Sequence, residues 1–141
     1  MTVQMVLLPL FVEVILTLVL WGWMAAARRQ AFVTRAVHPR DIALGELNWP
    51  PKVAQISNCF RNQFELPVLF YVLTILSIIT RHADLIFVVL AWVFVLSRLV
   101  HAYIHATTNS VMQRGTAYGV GGIVLIVMWI IFIVRILAGG A

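Results

Sequence analysis

Charge is scarce in this chain. Only 11% of its residues are Asp, Glu, Lys or Arg, against roughly 25% in soluble globular domains. A single cysteine, Cys59, excludes an intramolecular disulfide framework and any multi-cysteine metal site. Internal repeats and low-complexity tracts are absent too. What the chain has in excess is hydrocarbon: 62% of its 141 residues are apolar, more than a soluble fold of this size can bury. The expected class is an all-α integral membrane protein in one domain, residues 1–141, with the bilayer as its main partner.

Four apolar stretches are long enough to span, at about 20 residues each. They run approximately over 5–26, 57–80, 85–106 and 116–138 and predict a four-helix bundle. The second connection is very short, so spans two and three are antiparallel neighbours. The first, 27–56, is long and polar. Within it Pro39, Pro50 and Pro51 forbid a continuous helix, Asp41–Leu47 is expected as a short interfacial helix, and Trp49 is expected at headgroup depth.

The first span is not a signal peptide. No basic residue precedes it, it is too long, and Arg28 and Arg29 follow it. The formal charge of +5 would point to nucleic acid in a soluble protein. Here the basic residues are dispersed between apolar segments, and nucleic acid is not an expected partner. The connections 27–56 and 107–115 carry Arg28, Arg29, Arg35, Arg40, Lys52 and Arg114, whereas Arg81 alone marks the opposite turn. That asymmetry places the long loop in the cytoplasm and both termini outward. A multi-pass position in a bacterial inner membrane is the expected location.

Intramembrane polar groups cost about 2.5–3.5 kcal/mol each when charged, so each needs a reason. Asn58, Arg61, Asn62 and Glu65 follow helical spacing in span two, as Arg98, His101 and His105 do in span three. Glu65 and Arg98 each lie roughly 12 Å in from the same end of their spans, by helical rise. An ion pair between them is expected. Arg28, Arg29 and Arg114 lie at that same level, which gives a basic, hydrogen-bonding pocket at the inner interface. The histidine pair is expected to hydrogen-bond, and no metal is expected. Gly115, Gly119 and Gly122 form a small-residue stripe expected to pack helices. Cys59 is expected to be a small core residue. Glu13, inside span one, has no clear partner, though Arg135 is a candidate.

These residues resemble a known family. Four short spans, the Ala27-Arg28-Arg29 ending of the first, Asn62 with Glu65 on the second and an Arg-rich third are similar to MAPEG, the membrane-associated proteins of eicosanoid and glutathione metabolism. The spacing from Arg98 to His105 to Arg114 resembles that of the microsomal glutathione transferases, with His101 and His105 at tyrosine positions and Asn58 where an arginine often stands. The resemblance covers nearly the whole chain. It implies a homotrimer with glutathione, a co-substrate, held between subunits by Arg28, Arg29, Asn58, Asn62, Glu65, Arg98, His101 and His105. It also implies that Arg114 stabilises the thiolate for attack on a lipophilic small molecule.

The chemistry fits, because two carboxylates and an amine call for Arg forks and a Glu, and a guanidinium favours a thiolate. A non-catalytic lipid-binding or scaffold protein on the same fold is the alternative. A small multidrug exporter, for which Glu13 would be the coupling acid, is a third reading.

Overall fold

The computed structural model describes residues 1–45 and 48–139. Five helices, α1 Val3–Val33, α2 Pro51–Asn62, α3 Leu66–Ile79, α4 Leu85–Ala106 and α5 Val111–Gly139, make four membrane-length spans, α2 and α3 together forming the second. Among the described residues there is no β-strand. Apolar side chains on the outer faces, such as Leu18, Ile75, Leu96 and Ile126, are exposed, as a surface solvated by lipid requires.

The helix ends show how local chemistry sets the elements. Thr2 Oγ1 accepts from Met5 N at 3.3 Å to open α1, and Asp84 Oδ1 accepts from Phe87 N at 3.0 Å to open α4, each satisfying an orphan first-turn donor. Helix α2 begins at Pro51, whose missing N–H has no partner to lose there. Helices α1 and α3 close through Arg35 and Arg81, both at φ +60°. In each case the following residue donates back across the last turn, Ala36 N to Ala31 O at 2.9 Å and His82 N to Ser77 O at 2.8 Å. That closure normally takes glycine.

Several boundaries differ from those the sequence predicts. Helix α1 does not stop at residue 26. It carries Arg28 and Arg29 on its own last turns to Val33, so the first connection shrinks to residues 34–50. Helix α5 begins at Val111, taking Arg114 into its first turn. The predicted helix at Asp41–Leu47 is instead a single 3-10 turn at Pro39–Asp41 followed by a turn, with Gly45 at φ +81°. Glu46 and Leu47 lie outside the described residues.

The second span is broken at Gln63–Glu65. Its cause is Pro67, whose ring would clash with the carbonyl of residue 63 in a continuous helix. Gln63 Nε2 caps part of the break by donating to Cys59 O at 3.1 Å.

The bundle's main core joins Phe70 and Leu73 of α3, Ala91, Phe94 and Val95 of α4, and Leu125 and Met128 of α5. A smaller cluster at the other end packs Leu20 and Cys59 against Ala102 and Ala106. Cys59 is fully buried, its Sγ 3.6 Å from Ala102 O. Helices α4 and α5 come close at Gly121, where an added Cβ would sit 2.6 Å from Ser97 Oγ. Of the expected stripe, a Cβ at Gly115 or Gly119 would meet nothing within 4 Å, whereas one at Gly122 would touch Leu66 Cδ1 of α3 at 3.7 Å.

The α1–α2 and α4–α5 connections share one end of the bundle. Lys52 Nζ donates to Ala106 O at 3.2 Å, and Gln55 Nε2 donates to His105 O and Thr107 O, each at 2.9 Å.

Candidate functional site

The break at Gln63–Glu65 shapes the site. Had span two been one helix, Asn62 and Glu65 would occupy successive positions on one face. The turn instead leaves Asn62 buried against α4 and swings Glu65 to the exposed side. Arg98 is completely enclosed, at 0% exposure, and its Nη2 donates to both Asn62 Oδ1 and Asn62 O. Asn62 Nδ2 then donates to Glu65 Oε1 at 3.0 Å. The predicted Glu65–Arg98 ion pair is therefore not a direct contact; the two charges are joined through the Asn62 amide. One side of that amide accepts from the cation while the other donates to the anion, which fixes its orientation.

Tyr118, on α5, completes the cluster. Its hydroxyl donates to Glu65 Oε2 at 3.2 Å. Its ring lies 5.8 Å from the Arg98 guanidinium carbon and 5.5 Å, centre to centre, from the His101 ring. Sequence reasoning missed this residue. The available signal was its position one helical turn after Arg114, on the same face of the last span.

His101 and His105 are buried with rings 5.5 Å apart. The Nδ1 atom of each has no hydrogen-bond partner. Arg114 is close enough to act electrostatically on both imidazoles. It is anchored by donating from Nη1 to Asn109 Oδ1 at 2.6 Å, across the α4–α5 turn.

A second group lies around the end of α1. Arg28 stacks over Trp49 at 4.9 Å and donates to Ser57 Oγ at 3.2 Å. Together with Asn58 and Arg61 these residues line a recess of about 200 Å³. Arg29 and Asn58 are exposed. Six of the nine predicted residues thus fall into two groups, with Asn62, Glu65, Arg98 and His101 tied to Tyr118, and Arg28 and Asn58 at the recess; His105 joins the first through the His101 ring, Arg114 is held by Asn109, and Arg29 lines neither.

Beside the first group runs an open apolar groove of about 450 Å³ between α3 and α5. Leu66, Leu69, Ile126 and Trp129 form its walls, Gly119 and Gly122 its floor, and Tyr118 one of its edges. Gly119, expected to pack helices, leaves room here instead.

At the opposite end of the bundle, Arg135 is taken by Asp84 at 2.8 Å, the only ion pair among the described residues. Arg135 is thereby removed as the partner of Glu13. Glu13 is itself fully enclosed, so the exporter reading has no reachable carboxylate in span one.

Four apolar spans around an asymmetric polar cluster define an integral membrane protein of the four-helix type. The MAPEG family profile matches residues 6–134, and the chain belongs to the MAPEG family. No curated protein and no solved structure matches it.

Proposed function

We propose that this MAPEG member is a glutathione-dependent transferase or peroxidase that acts on lipophilic electrophiles drawn from the bilayer. One observation carries the reading: the Glu65–Tyr118 hydrogen bond sits at the edge of an apolar groove. A polar anchor for a peptide amine and a lipid-accessible wall meet there. The carboxylates of the tripeptide are assigned to the arginines, with Arg28 and Arg61 at the recess and Arg29 beside them. Glu65 takes the amine.

Asn62 and Arg98 support Glu65 from behind rather than touching ligand, since Arg98 has no exposed surface. Arg114 favours the thiolate by placing positive charge next to the sulfur. In conjugation the thiol proton leaves to solvent, the sulfur lone pair forms the C–S bond, and the electrophile releases its leaving group or opens its ring. Glu65, Arg29 and Asn58 are exposed in the single chain. A homotrimer in which a neighbouring subunit closes over them completes the site. The loop end faces the cytoplasm, where glutathione is supplied, and the expected membrane is the bacterial inner membrane.

The test is a glutathione titration of purified protein in detergent, with thiolate absorbance followed across pH. Wild type is expected to bind and to show thiolate at neutral pH. Arg114→Ala is expected to raise the bound thiol's pKa and slow conjugation while weakening binding much less. Binding without any thiolate at neutral pH replaces the catalytic reading with the scaffold one; absence of binding removes glutathione altogether.

A further inference from the structure

Glu13 lies on α1, fully enclosed, and neither of its carboxylate oxygens has a hydrogen-bond partner. A carboxyl in a membrane interior stays charged only beside a compensating charge; without one it takes up a proton. Arg98, on the adjacent α4, is the largest fully buried side chain of the protein, and its Nε and Nη1 are likewise unpartnered. The deficits are complementary, two acceptors on one helix and two donors on the other. Helices α1 and α4 pack together. Glu13 and Arg98 act electrostatically on one another across that interface. The two are not in ion-pair contact, so the attraction acts through space.

We propose that Glu13 is the counter-charge of Arg98 across the α1–α4 interface and a positioning residue for the candidate site, holding the guanidinium so that Asn62, and through it Glu65, is fixed at the edge of the groove. The consequence for ligand binding rests on the glutathione reading; the pairing itself does not. A guanidinium is planar and presents its donors in a fixed fork. Attraction at the Nε and Nη1 side therefore settles that Nη2 meets Asn62. Without Glu13 the buried cation lacks that compensation, and Glu65 is the other carboxylate that acts on it. Arg98 then competes for Glu65, which is no longer free to hold an amine.

Two measurements on the full chain in detergent test this. The first is thermal unfolding of Glu13→Gln, Arg98→Gln and the double variant. Removing either partner strands the other charge, so the double variant is expected to lose clearly less than the sum of the single losses. Additive losses overturn the pairing.

The second compares affinity for glutathione with affinity for its des-amino analogue, glutaryl-cysteinyl-glycine. Glu13→Gln is expected to weaken glutathione about tenfold and the analogue by less than about twofold, because only the amine needs Glu65. Glu13→Asp is expected to recover most of the loss. An equal loss for both ligands marks a merely structural carboxylate and overturns the positioning role. If Glu13→Gln does not fold, Glu13→Asp carries the comparison, with a smaller loss confined to glutathione. Wild-type protein that binds neither ligand while the unfolding losses are non-additive removes the proposed function and leaves the Glu13–Arg98 pairing supported.

Discussion

The Tyr118 hydroxyl on α5 donates to Glu65 Oε2 at 3.2 Å and ties the last span to the break in the second. Hydrogen bonds to charged groups contribute about 1.5–3 kcal/mol, and this pair is open enough to fall at the low end. Tyr118→Phe keeps the ring against Arg98 and His101 but removes the donor. Glutathione affinity is expected to fall by about tenfold, with little change in unfolding temperature, and calorimetric titration reads it. Unchanged affinity would separate Glu65 from the ligand.

Asn62 is the amide between Arg98 and Glu65, and its removal strands a buried cation. Asn62→Leu leaves Arg98 Nη2 without its side-chain acceptor and is expected to destabilise the protein by about 1–3 kcal/mol. Asn62→Asp leaves Arg98 an acceptor and costs far less, yet it loses the donor to Glu65 and sets two carboxylates side by side. Ligand binding then falls while the unfolding temperature holds. Equal unfolding temperatures for the Leu variant and wild type would mean that Arg98 does not depend on this contact.

Two glycines of α5 are expected to respond in opposite directions. Gly121→Ala places a methyl 2.6 Å from Ser97 Oγ, which itself donates to Phe94 O at 2.6 Å. The Ser97 hydroxyl has to swing out of that bond, and leaving it unpaired costs about 1–3 kcal/mol, which Ser97→Ala in the same chain relieves. Gly119→Ala meets no atom within 4 Å and gains about 0.5–1 kcal/mol in helix preference. Thermal unfolding of the three variants settles both signs.

Burial raises the Asp84 carboxyl, but the Phe87 amide and the Arg135 guanidinium outweigh it and hold the group below its usual value. A depressed folded value stabilises the protein above the ordinary carboxylate range, near ~3.9, and the contribution disappears as pH falls through the folded value. With side chains 43% and 32% exposed, the pair is screened and its effect is small. Asp84→Asn, still a good N-cap, is expected to flatten the acid limb of a stability–pH curve and leave its neutral part almost level. An acid limb identical to wild type would assign it to other groups.

The sequence alone determined the number of spans, the polar residues within them and the family, because a bilayer imposes its demands locally. Each span needs about 20 apolar residues, and each intramembrane polar group is conspicuous against that background. Asn62, Glu65, Arg98 and His101 were legible for this reason, and Arg114 by its spacing from Arg98 and His105. Tertiary structure decided who touches whom. Pro67 breaks the second span and turns Glu65 outward, so the amide of Asn62, rather than a direct ion pair, joins it to Arg98. Tyr118 entered the site because α5 packs beside that break; its place one turn after Arg114 put it on the right face but did not say which residues that face would meet. Gly121, rather than the regular stripe, became the close contact because the crossing of α4 and α5 selects which residue meets Ser97. Glu13 had no legible partner for the same reason: which buried cation it faces depends on how α1 lies against α4, and that is fixed by packing.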